Sequence, residues 1–253
     1  MNSSPELSLQ VNDLTVTFPE KDGCLSVLEN ISFSLQKNAF VCLIGPSGSG
    51  KSTLLRTLAG LIPYQSGRIE FPDIQGRQAK TGLVFQKPNL MPWRNLTQNI
   101  ALPLELNGTP QPEIDQKTKE MIDLTGLHGF EESWPHELSG GMAQRVAIAR
   151  SLVQDPDILL LDEPFGSLDE LTRERMSEEL LRIWNEERKT ILMVTHSIPE
   201  AVYLSDRVLV LSSSPAGIVL DLPIELPRPR DSQLRYSPEF ARAAALLHEH
   251  LKF

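Results

Sequence analysis

The chain has 253 residues and a formal net charge of −9, with 33 acidic side chains against 24 basic ones. This length suits one or two domains with a substantial core, and the acidic balance argues against a nucleic-acid partner, because binding to a phosphate backbone requires a basic face.

The two cysteines, Cys24 and Cys42, do not indicate a disulfide framework, which suits a reducing cytosol. The first residues lack the basic and apolar regions of a secretory signal, and no uninterrupted apolar run reaches the roughly 18 residues of a membrane-spanning helix. We therefore expect a chain that neither crosses a membrane nor is exported by its own sequence.

Two alternating segments near the start of the chain predict antiparallel strands. Apolar and polar side chains alternate over Leu7–Val11 and again over Ile31–Leu35. This period of two is typical of strands that bury one face and expose the other.

A glycine-rich loop follows the apolar run Val41–Ile44. The loop, GPSGSGKS, occupies Gly45–Ser52, and a helix-like stretch from Ser52 to Ala59 ends at Gly60. Strand, glycine loop and helix in this order form the context that a phosphate-binding loop requires. The glycines let the backbone curl so that successive N–H groups point at a polyanion, and the helix N-terminus adds a partial positive charge.

This loop predicts roles for two side chains. Lys51 is expected to reach the outer phosphates of a nucleotide, and the Ser52 hydroxyl is expected to bind Mg²⁺. A chance glycine–serine turn is the alternative, and the strand-to-helix setting argues against it. The residues predicted to contact the nucleotide are Gly45, Pro46, Ser47, Gly48, Ser49, Gly50, Lys51, Ser52 and Thr53.

An acidic pair ends a later apolar run. Ile158–Leu161 leads into Asp162 and Glu163, and its continuous apolar character is typical of a buried parallel strand whose carboxyl end delivers both acids beside the phosphate loop. We expect Asp162 to hold Mg²⁺ directly or through water, and Glu163 to act as the general base that orients a water in line with the γ-phosphate. An acidic pair alone would more simply mark the polar start of a loop; the phosphate loop gives it this meaning.

Apolar runs alternate with helical stretches along most of the chain, which predicts a mainly parallel sheet with helices on both faces. The runs are Val41–Ile44, Ile158–Leu161, Ile191–Val194 and Val208–Leu211. Between Gln86 and about Arg150, prolines and polar helices replace them, which indicates an inserted helical subdomain. The predicted divisions of this single nucleotide-binding domain are 1–86 and 151–212 for the catalytic core with its antiparallel β part, 87–150 for the helical subdomain, and 213–253 for a short tail.

Two amphipathic helices are predicted late in the chain. The first has an apolar face that we interpret as core packing, formed by Met176, Leu180, Ile183 and Trp184. The second is opened by Ser237 and Pro238. Its apolar side carries Phe240, Ala244, Leu247 and Leu251. Because we expect this tail to follow a last strand near Leu211, we also expect it to be too short for an additional barrel domain.

A second phosphate-directed motif, LSGGMAQR, occupies Leu138–Arg145. Together with the phosphate loop and the acidic pair, it makes the sequence resemble the ATP-binding cassette (ABC) ATPases over nearly its whole length. The resemblance extends to Gln86 after Leu83–Phe85, to Ser167–Asp169, and to His196, which match the family's Q-loop, D-loop and switch histidine. Taken alone, the serine and two glycines of LSGG would be better explained as a flexible turn.

The resemblance implies the fold, the cofactors and the catalytic residues. The fold would be an α/β P-loop NTPase cassette with a mainly parallel core sheet, an antiparallel β subdomain and an inserted helical subdomain. The cofactors would be ATP and Mg²⁺, with Ser52, Gln86 and Asp162 toward the metal. The catalytic residues would be Lys51, Gln86, Glu163 and His196.

In this family two cassettes associate head to tail, and each ATP lies between the phosphate loop of one copy and the LSGG segment of the other. The resemblance therefore implies a two-fold homodimer with two shared sites. Ser139, Gly140 and Gly141 would bind phosphate supplied by the partner, since they open a helix with a positive end. Asp169 and His196 are also expected at the nucleotide.

Three positions qualify the match. Phe18 stands where the family stacks an aromatic ring on adenine, although an aromatic residue at a strand end is more often plain core. Met142 replaces the more common glutamine of the LSGG motif, and Ser197 follows the switch histidine where aspartate is frequent. Neither departure removes a phosphate ligand, so we expect an active ATPase.

Several further strings resemble the ATPases of nitrate, sulfonate and taurine importers. They are Leu90–Asn95, Glu163–Arg173 and the Pro-Arg-Pro-Arg-Asp segment that ends at Asp231. Such proteins imply a homodimer at the cytoplasmic face of the plasma membrane, bound to two transmembrane permease subunits and fed indirectly by an external solute-binding protein. The alternatives are an exporter ATPase, and a soluble ABC ATPase that scaffolds cofactor assembly without a membrane partner.

The segment from Gln86 to Leu96 is the hypothetical docking site for the permease. Trp93 and its neighbours would line a groove for a short cytoplasmic helix. Trp93 as a core anchor is the alternative.

Overall fold

The computed structural model describes residues 6–20, 23–72 and 79–251. Within these ranges the chain forms two compact units. The first unit comprises the described residues of 1–79 and 189–253, and the second comprises residues 80–188. The domain boundaries expected at residues 86, 150 and 212 stay predictions.

The strands and helices are numbered in chain order. The strands are β1 (Leu7–Glu20), β2 (Gly23–Gln36), β3 (Phe40–Ile44), β4 (Ser66–Glu70), β5 (Thr81–Val84), β6 (Ile158–Asp162), β7 (Thr190–Val194), β8 (Arg207–Leu211) and β9 (Ile218–Pro223). The helices are α1 (Lys51–Leu58), α2 (Leu96–Leu106), α3 (Gln111–Leu124), α4 (Gly140–Leu152), α5 (Glu170–Glu187), α6 (Ile198–Leu204) and α7 (Pro238–His250). Short 3₁₀ turns occupy Pro135–Glu137 and Ser232–Tyr236.

The first unit begins with an antiparallel sheet of strand order β2-β1-β4. Strands β1 and β2 pair so that Leu9 lies opposite Leu35 and Val11 opposite Phe33. All four of these side chains are buried, because a period of two directs alternate residues to one face. The antiparallel strands predicted from the alternating pattern are confirmed.

The remaining strands of the first unit run in the order β7-β3-β8-β9. Strand β3 is parallel to both β7 and β8, and every residue of β3 and β7 is buried, as expected for strands covered on both faces. The prediction of a last strand near Leu211 was wrong, because β9 follows and pairs antiparallel with β8. Strand β9 alternates partly buried with exposed residues, so a search for continuous apolar runs misses it.

Helices α6 and α7 complete the first unit, with α6 in contact with both β3 and α7. The Ser237 hydroxyl accepts a hydrogen bond of 3.1 Å from the Phe240 N–H and so caps α7. The predicted apolar side of this helix is confirmed, since Phe240 and Leu247 are buried and Ala244 and Leu251 are partly buried.

The second unit combines a parallel pair of strands, β5 and β6, with helices α2 to α5. Its helical core contains Leu96, Ile100, Leu104, Ile114, Ile122, Leu127, Val146 and Ala149. The predicted core face of α5 is confirmed, because Met176, Leu180, Ile183 and Trp184 are all buried. The α/β fold with a mainly parallel sheet, an antiparallel sheet and a helical part therefore agrees with the sequence prediction.

None of the helices formed by the described residues combines the length and the apolar character needed to cross a membrane.

Candidate functional site

The glycine loop of the first unit joins β3 to α1. Gly50 is the N-cap of α1 and has a φ of 84°, in the left-handed region. A Cβ atom at Gly50 would lie 2.8 Å from both Val27 Cγ1 and Leu28 Cδ2, so both the conformation and the close approach of β2 require glycine. The loop is thereby held in a curled path at the start of a helix, where backbone N–H groups attract an anion.

Lys51 is the first residue of α1, and as a whole residue it is buried, with 6% exposure. Its Nζ donates hydrogen bonds to Gly45 O at 2.9 Å and to Pro46 O at 2.7 Å, with Ser49 Oγ at 3.5 Å. These contacts fold the side chain back over the glycine loop. The loop therefore contains a fixed positive charge at the end of β3, beside the Ser52 hydroxyl of the next residue.

His196 also belongs to the first unit and lies two residues after β7. Its side chain is exposed, whereas the preceding Thr195 is 2% exposed. The Thr195 N–H donates to Leu43 O at 3.2 Å, so this segment continues the pairing of β7 with β3, the strand that leads into the glycine loop.

The acidic pair lies at the carboxyl end of β6, in the second unit. Asp162 is the last residue of the strand and is 2% exposed. Glu163 has a φ of 46°, in the left-handed region. This backbone conformation is energetically unfavourable for residues other than glycine, and residues that adopt it are concentrated at functional sites. The Glu163 Oε2 accepts a hydrogen bond of 3.3 Å from Gln86 Nε2. The structure thus brings together two residues that the sequence predicted as catalytic.

The LSGG motif of the second unit opens α4, with Ser139 as the N-cap. The Ser139 Oγ accepts a hydrogen bond of 3.3 Å from the Met142 N–H. Ser139 and Gly140 are exposed, while a Cβ atom at Gly141 would lie 3.2 Å from Thr172 Cγ2 on α5. The motif therefore exposes a helix N-terminus at Ser139 and Gly140, while Gly141 packs against α5.

Asp169 is the N-cap of α5 and accepts a hydrogen bond of 3.0 Å from the Thr172 N–H. Hydrogen bonds from the Thr172 side chain and backbone lower the pKa of the Asp169 carboxyl, because they stabilise its ionised form. The residue predicted from the D-loop resemblance is thus an exposed carboxylate at a helix start.

The two aromatic predictions differ in outcome. Phe18 lies opposite Leu25 near the far end of the β1–β2 pair and is only partly buried; its role at an adenine ring stays a prediction. Trp93 is 68% exposed, so the alternative of a core anchor was wrong.

The segment after Gln86 is held by residues that sequence reasoning missed. Arg150 on α4 donates to Pro88 O at 2.7 Å and to Asn89 O at 3.0 Å. Asn99 on α2 is fully buried, accepts from the Met91 N–H at 2.8 Å and donates to carbonyl groups of the same segment. A buried asparagine inside a helix was the available signal, because such a side chain must have hydrogen-bond partners.

The two departures from the family pattern have structural explanations. Met142 packs against the helical core of the second unit, where a thioether is suited to apolar contact. Ser197 is the N-cap of α6, and its Oγ accepts from the Glu200 N–H at 3.3 Å. Serine and aspartate are comparable N-cap residues, so this substitution keeps the cap.

The donor groups suit ATP and Mg²⁺. A lysine and a helix N-terminus within a glycine loop match a polyphosphate, and the Ser52 hydroxyl, the Asp162 carboxylate and the Gln86 amide are the hard oxygen ligands that Mg²⁺ prefers. The glycine loop follows a buried strand, and the same chain has an acidic pair at the end of another strand. Together these features define the class of P-loop nucleotide-binding α/β proteins.

Comparison with known proteins narrows this class. Residues 28–166 match the family model described as ABC transporter. The chain is 46% identical over 237 residues to an uncharacterized ABC transporter ATP-binding protein of Methanocaldococcus jannaschii, covering 93% of this chain and 88% of that protein. The chain belongs to the ABC transporter family, as the sequence predicted.

Two further relatives have names that state a substrate. The aliphatic sulfonates import ATP-binding protein SsuB of Bacillus cereus is 45% identical, with 88% of this chain and 89% of the relative covered. The nitrate import ATP-binding protein NrtD of Synechocystis is 45% identical, with 92% and 91% covered.

Solved structures agree with the fold. The dimeric structure of MJ0796, a bacterial ABC transporter cassette, matches with a TM-score of 0.75 and 30% identity, covering 87% of this chain and 100% of that chain. The same cassette has been solved as a dimer in a post-hydrolysis state bound to ADP and Pi, with a TM-score of 0.74 and 29% identity over the same coverage.

Proposed function

We propose that this chain is the ATP-hydrolysing, energy-coupling subunit of a membrane importer for a small solute such as nitrate, a sulfonate or taurine. Membership of the ABC transporter family makes it an ATPase subunit, and its similarity to sulfonate and nitrate import proteins supports the importer. The proposal depends mainly on the conformation and contact of Glu163 at the end of β6. Glu163 has a left-handed backbone and accepts a hydrogen bond from Gln86.

The phosphate loop is the proposed binding element for ATP. Lys51 would exchange its contacts with Gly45 O and Pro46 O for the outer phosphates, while the loop N–H groups bind the remaining oxygens. Ser52, Gln86 and Asp162 would hold Mg²⁺, whose charge offsets that of the phosphates. Phe18 would stack on the adenine.

Glu163 is the proposed general base, and His196 the residue that orients the attacked phosphate and the water. Phosphoryl transfer requires mainly positioning and charge stabilisation, which Lys51 also supplies. The bond from Gln86 to Glu163 links the base to the segment that precedes α2, so a displacement of that segment would alter the position of the carboxylate.

We further propose a head-to-tail homodimer in which Ser139, Gly140 and Gly141 bind the ATP held by the partner's phosphate loop, with Asp169 close to the same boundary. The exposure of Ser139 and Gly140 at the start of α4 supports an external phosphate ligand. The dimeric state of the MJ0796 cassette supports the two-fold arrangement.

Two permease subunits are the proposed membrane partners, placing the dimer at the cytoplasmic face of the membrane. The docking surface would be the segment from Gln86 to Leu96 and the adjoining cleft of about 440 Å³. This cleft is lined by Phe85, Met91, Leu102, Leu106 and Arg150 among others. Trp93 and Leu106 are 68% and 78% exposed, and exposed large apolar side chains on an anchored segment favour a partner helix.

The Glu163→Gln variant tests the catalytic proposal. Loss of the basic carboxylate is expected to slow ATP hydrolysis by at least about a hundredfold while ATP binding and ATP-dependent dimerisation persist. Glu178→Gln, an exposed position on α5, is the control and should hydrolyse ATP normally. Near-normal turnover of Glu163→Gln would remove Glu163 from the role of base.

Purification from detergent-solubilised membranes tests the importer. A multi-spanning permease is expected to co-purify in stoichiometric amount, and an external solute-binding protein should stimulate hydrolysis by the complex. A permease without any solute-binding protein would favour the exporter alternative, and absence of a membrane partner would favour a soluble ABC ATPase.

Trp93→Ala tests the docking surface. Transport and permease binding should fall while basal ATP hydrolysis and folding stay intact, because the side chain is exposed. Tyr236→Ala, which removes another exposed aromatic ring, at 82% exposure in the tail, should leave transport unchanged. Normal transport by Trp93→Ala would contradict the docking proposal.

A further inference from the structure

A buried hydrogen-bond relay connects the residues on either side of His196. The Ser197 N–H donates to Thr195 Oγ1 at 3.0 Å. The Thr195 hydroxyl in turn donates to Glu200 Oε2 at 2.5 Å, and the Glu200 N–H donates to Ser197 Oγ at 3.3 Å. The side chain of Thr195, before His196, and the backbone N–H of Ser197, after it, therefore belong to one set of contacts.

This relay differs from an ordinary capping box. At the start of α2, the Gln98 side chain accepts directly from the N–H of the N-cap residue Asn95 at 3.1 Å, and the Asn95 side chain accepts from the Gln98 N–H. At the start of α6, the Thr195 hydroxyl lies between the N-cap N–H of Ser197 and the carboxylate of Glu200. A direct box would be sufficient to cap α6, so the interposed threonine has the additional effect of fixing residue 195.

Burial makes the relay rigid. Thr195 and Glu200 are 2% and 6% exposed, and a carboxylate at that depth is stable only while its hydrogen bonds are satisfied. The Thr195 N–H is also bonded to Leu43 O on β3. The residue that precedes the exposed His196 is therefore hydrogen-bonded to β3, the strand that leads into the phosphate loop.

We propose that Thr195 and Glu200 are positioning residues that set the reach of His196 toward the γ-phosphate of ATP. The inference rests on the proposed role of His196. Hydrogen bonds hold the residues on both sides of the histidine. The position of its exposed ring therefore depends on these neighbours, and small errors in such positioning lower catalysis strongly.

The test compares Thr195→Val with Thr195→Ser in the full-length protein. Valine keeps the size of the side chain and removes the hydroxyl, so kcat for ATP hydrolysis is expected to fall about tenfold, with ATP affinity changed less than about twofold. Serine keeps the hydroxyl and should restore kcat. A merely structural role would lower the folded fraction, measured by thermal unfolding, rather than kcat per folded molecule.

A second pair of variants keeps the test decisive if Thr195→Val fails to fold. Glu200→Gln retains an acceptor for the Thr195 hydroxyl and should keep nearly normal kcat, whereas Glu200→Met removes the acceptor without leaving a buried charge and should lower kcat. Equal turnover of the two Glu200 variants, or wild-type kcat for a folded Thr195→Val, would overturn the inference.

Combination with His196→Ala separates this inference from the proposed function. His196→Ala should abolish most turnover, and adding Thr195→Val to it should have no further effect, because both changes act through one side chain. A further loss in the double variant would refute the positioning role. Normal turnover of His196→Ala alone would instead refute the catalytic role proposed for the histidine.

Discussion

The phosphate loop of the first unit and the LSGG segment of the second unit are both helix N-termini suited to anions, yet they satisfy their polar groups differently. Lys51 is buried and bonded to carbonyl groups of its own loop. Ser139 and Gly140 are exposed at the start of α4, where Ser139 caps the helix through Met142. The first element is complete within one molecule, whereas the second is directed outward. We therefore expect changes in the first to alter binding by a single chain, and changes in the second to alter events that depend on protein concentration.

The largest expected effect on ATP binding is that of Lys51→Ala. Removal of a charged donor from the phosphates should weaken ATP binding about a hundredfold, and the loss should be independent of protein concentration. Equilibrium titration of the variant with ATP measures it. Lys117→Ala, which breaks only an exposed ion pair with Glu113, serves as the control, and unchanged affinity in Lys51→Ala would contradict the phosphate-loop assignment.

The Ser139→Ala variant should leave the ATP affinity of a single chain unchanged and lower turnover about thirtyfold, because a donor to the partner's ATP is lost. Mixing it with Lys51→Ala sharpens the comparison. In a mixed dimer one site combines both defects and the other combines an intact phosphate loop with an intact LSGG segment. With random pairing, an equal mixture should regain about one quarter of wild-type turnover. No recovery would show that the sites are not shared between copies.

A smaller effect, on the free energy of unfolding, is expected for Arg230→Met. This variant tests whether the buried Arg230 stabilises the first unit. Arg230 is buried and its Nη1 donates to the carbonyl groups of Val202, Tyr203 and Ser205 at the end of α6. Burial, and then the charge of Arg228, lowers the pKa of Arg230 to about 10, so part of the gain from these bonds is offset by desolvation. We expect a loss of about 1.5 kcal/mol in the free energy of unfolding, measured with urea.

Arg242→Met is the matched control for this measurement. Arg242 is 74% exposed and pairs with Glu239 within α7. The median contribution of such surface pairs is small, so the change in unfolding free energy should stay below about 0.5 kcal/mol. Equal losses for the two variants would argue against Arg230 as an anchor of α6.

The smallest expected effect concerns the two cysteines. Cys24 is exposed and Cys42 is buried in β3, where burial raises the pKa of the Cys42 thiol well above its usual range. A thiol reagent at pH 8 should therefore modify Cys24 rapidly and Cys42 only after denaturation. Rapid reaction of both thiols in the native protein would indicate that β3 opens.

Much of the fold follows from the sequence because the determining interactions are local. Continuous apolar runs identified β3, β6 and β7, and alternation identified β1 and β2 as antiparallel strands. Strand β9 was not predicted, because its residues alternate between partly buried and exposed at the edge of the sheet. Its position is fixed by pairing with β8, which no local pattern reports.

The candidate site was less predictable where side chains meet across the fold. Motifs identified Lys51, Glu163 and Ser139, and their roles stay proposals. The contact of Gln86 with Glu163 joins residues 77 positions apart in the chain, and no local sequence pattern indicates it. The spacing of Ser197 and Glu200 was a visible capping signal, although the hydroxyl between them was not.

The exposure of Trp93 also gives the protein an optical probe of its own. Trp93 is 68% exposed, whereas Trp184 lies in the core and is 3% exposed. Water around the first ring shifts its fluorescence emission to longer wavelengths than that of the second. Any molecule that covers this surface should move the spectrum back toward the blue, so that assembly becomes visible without an added dye.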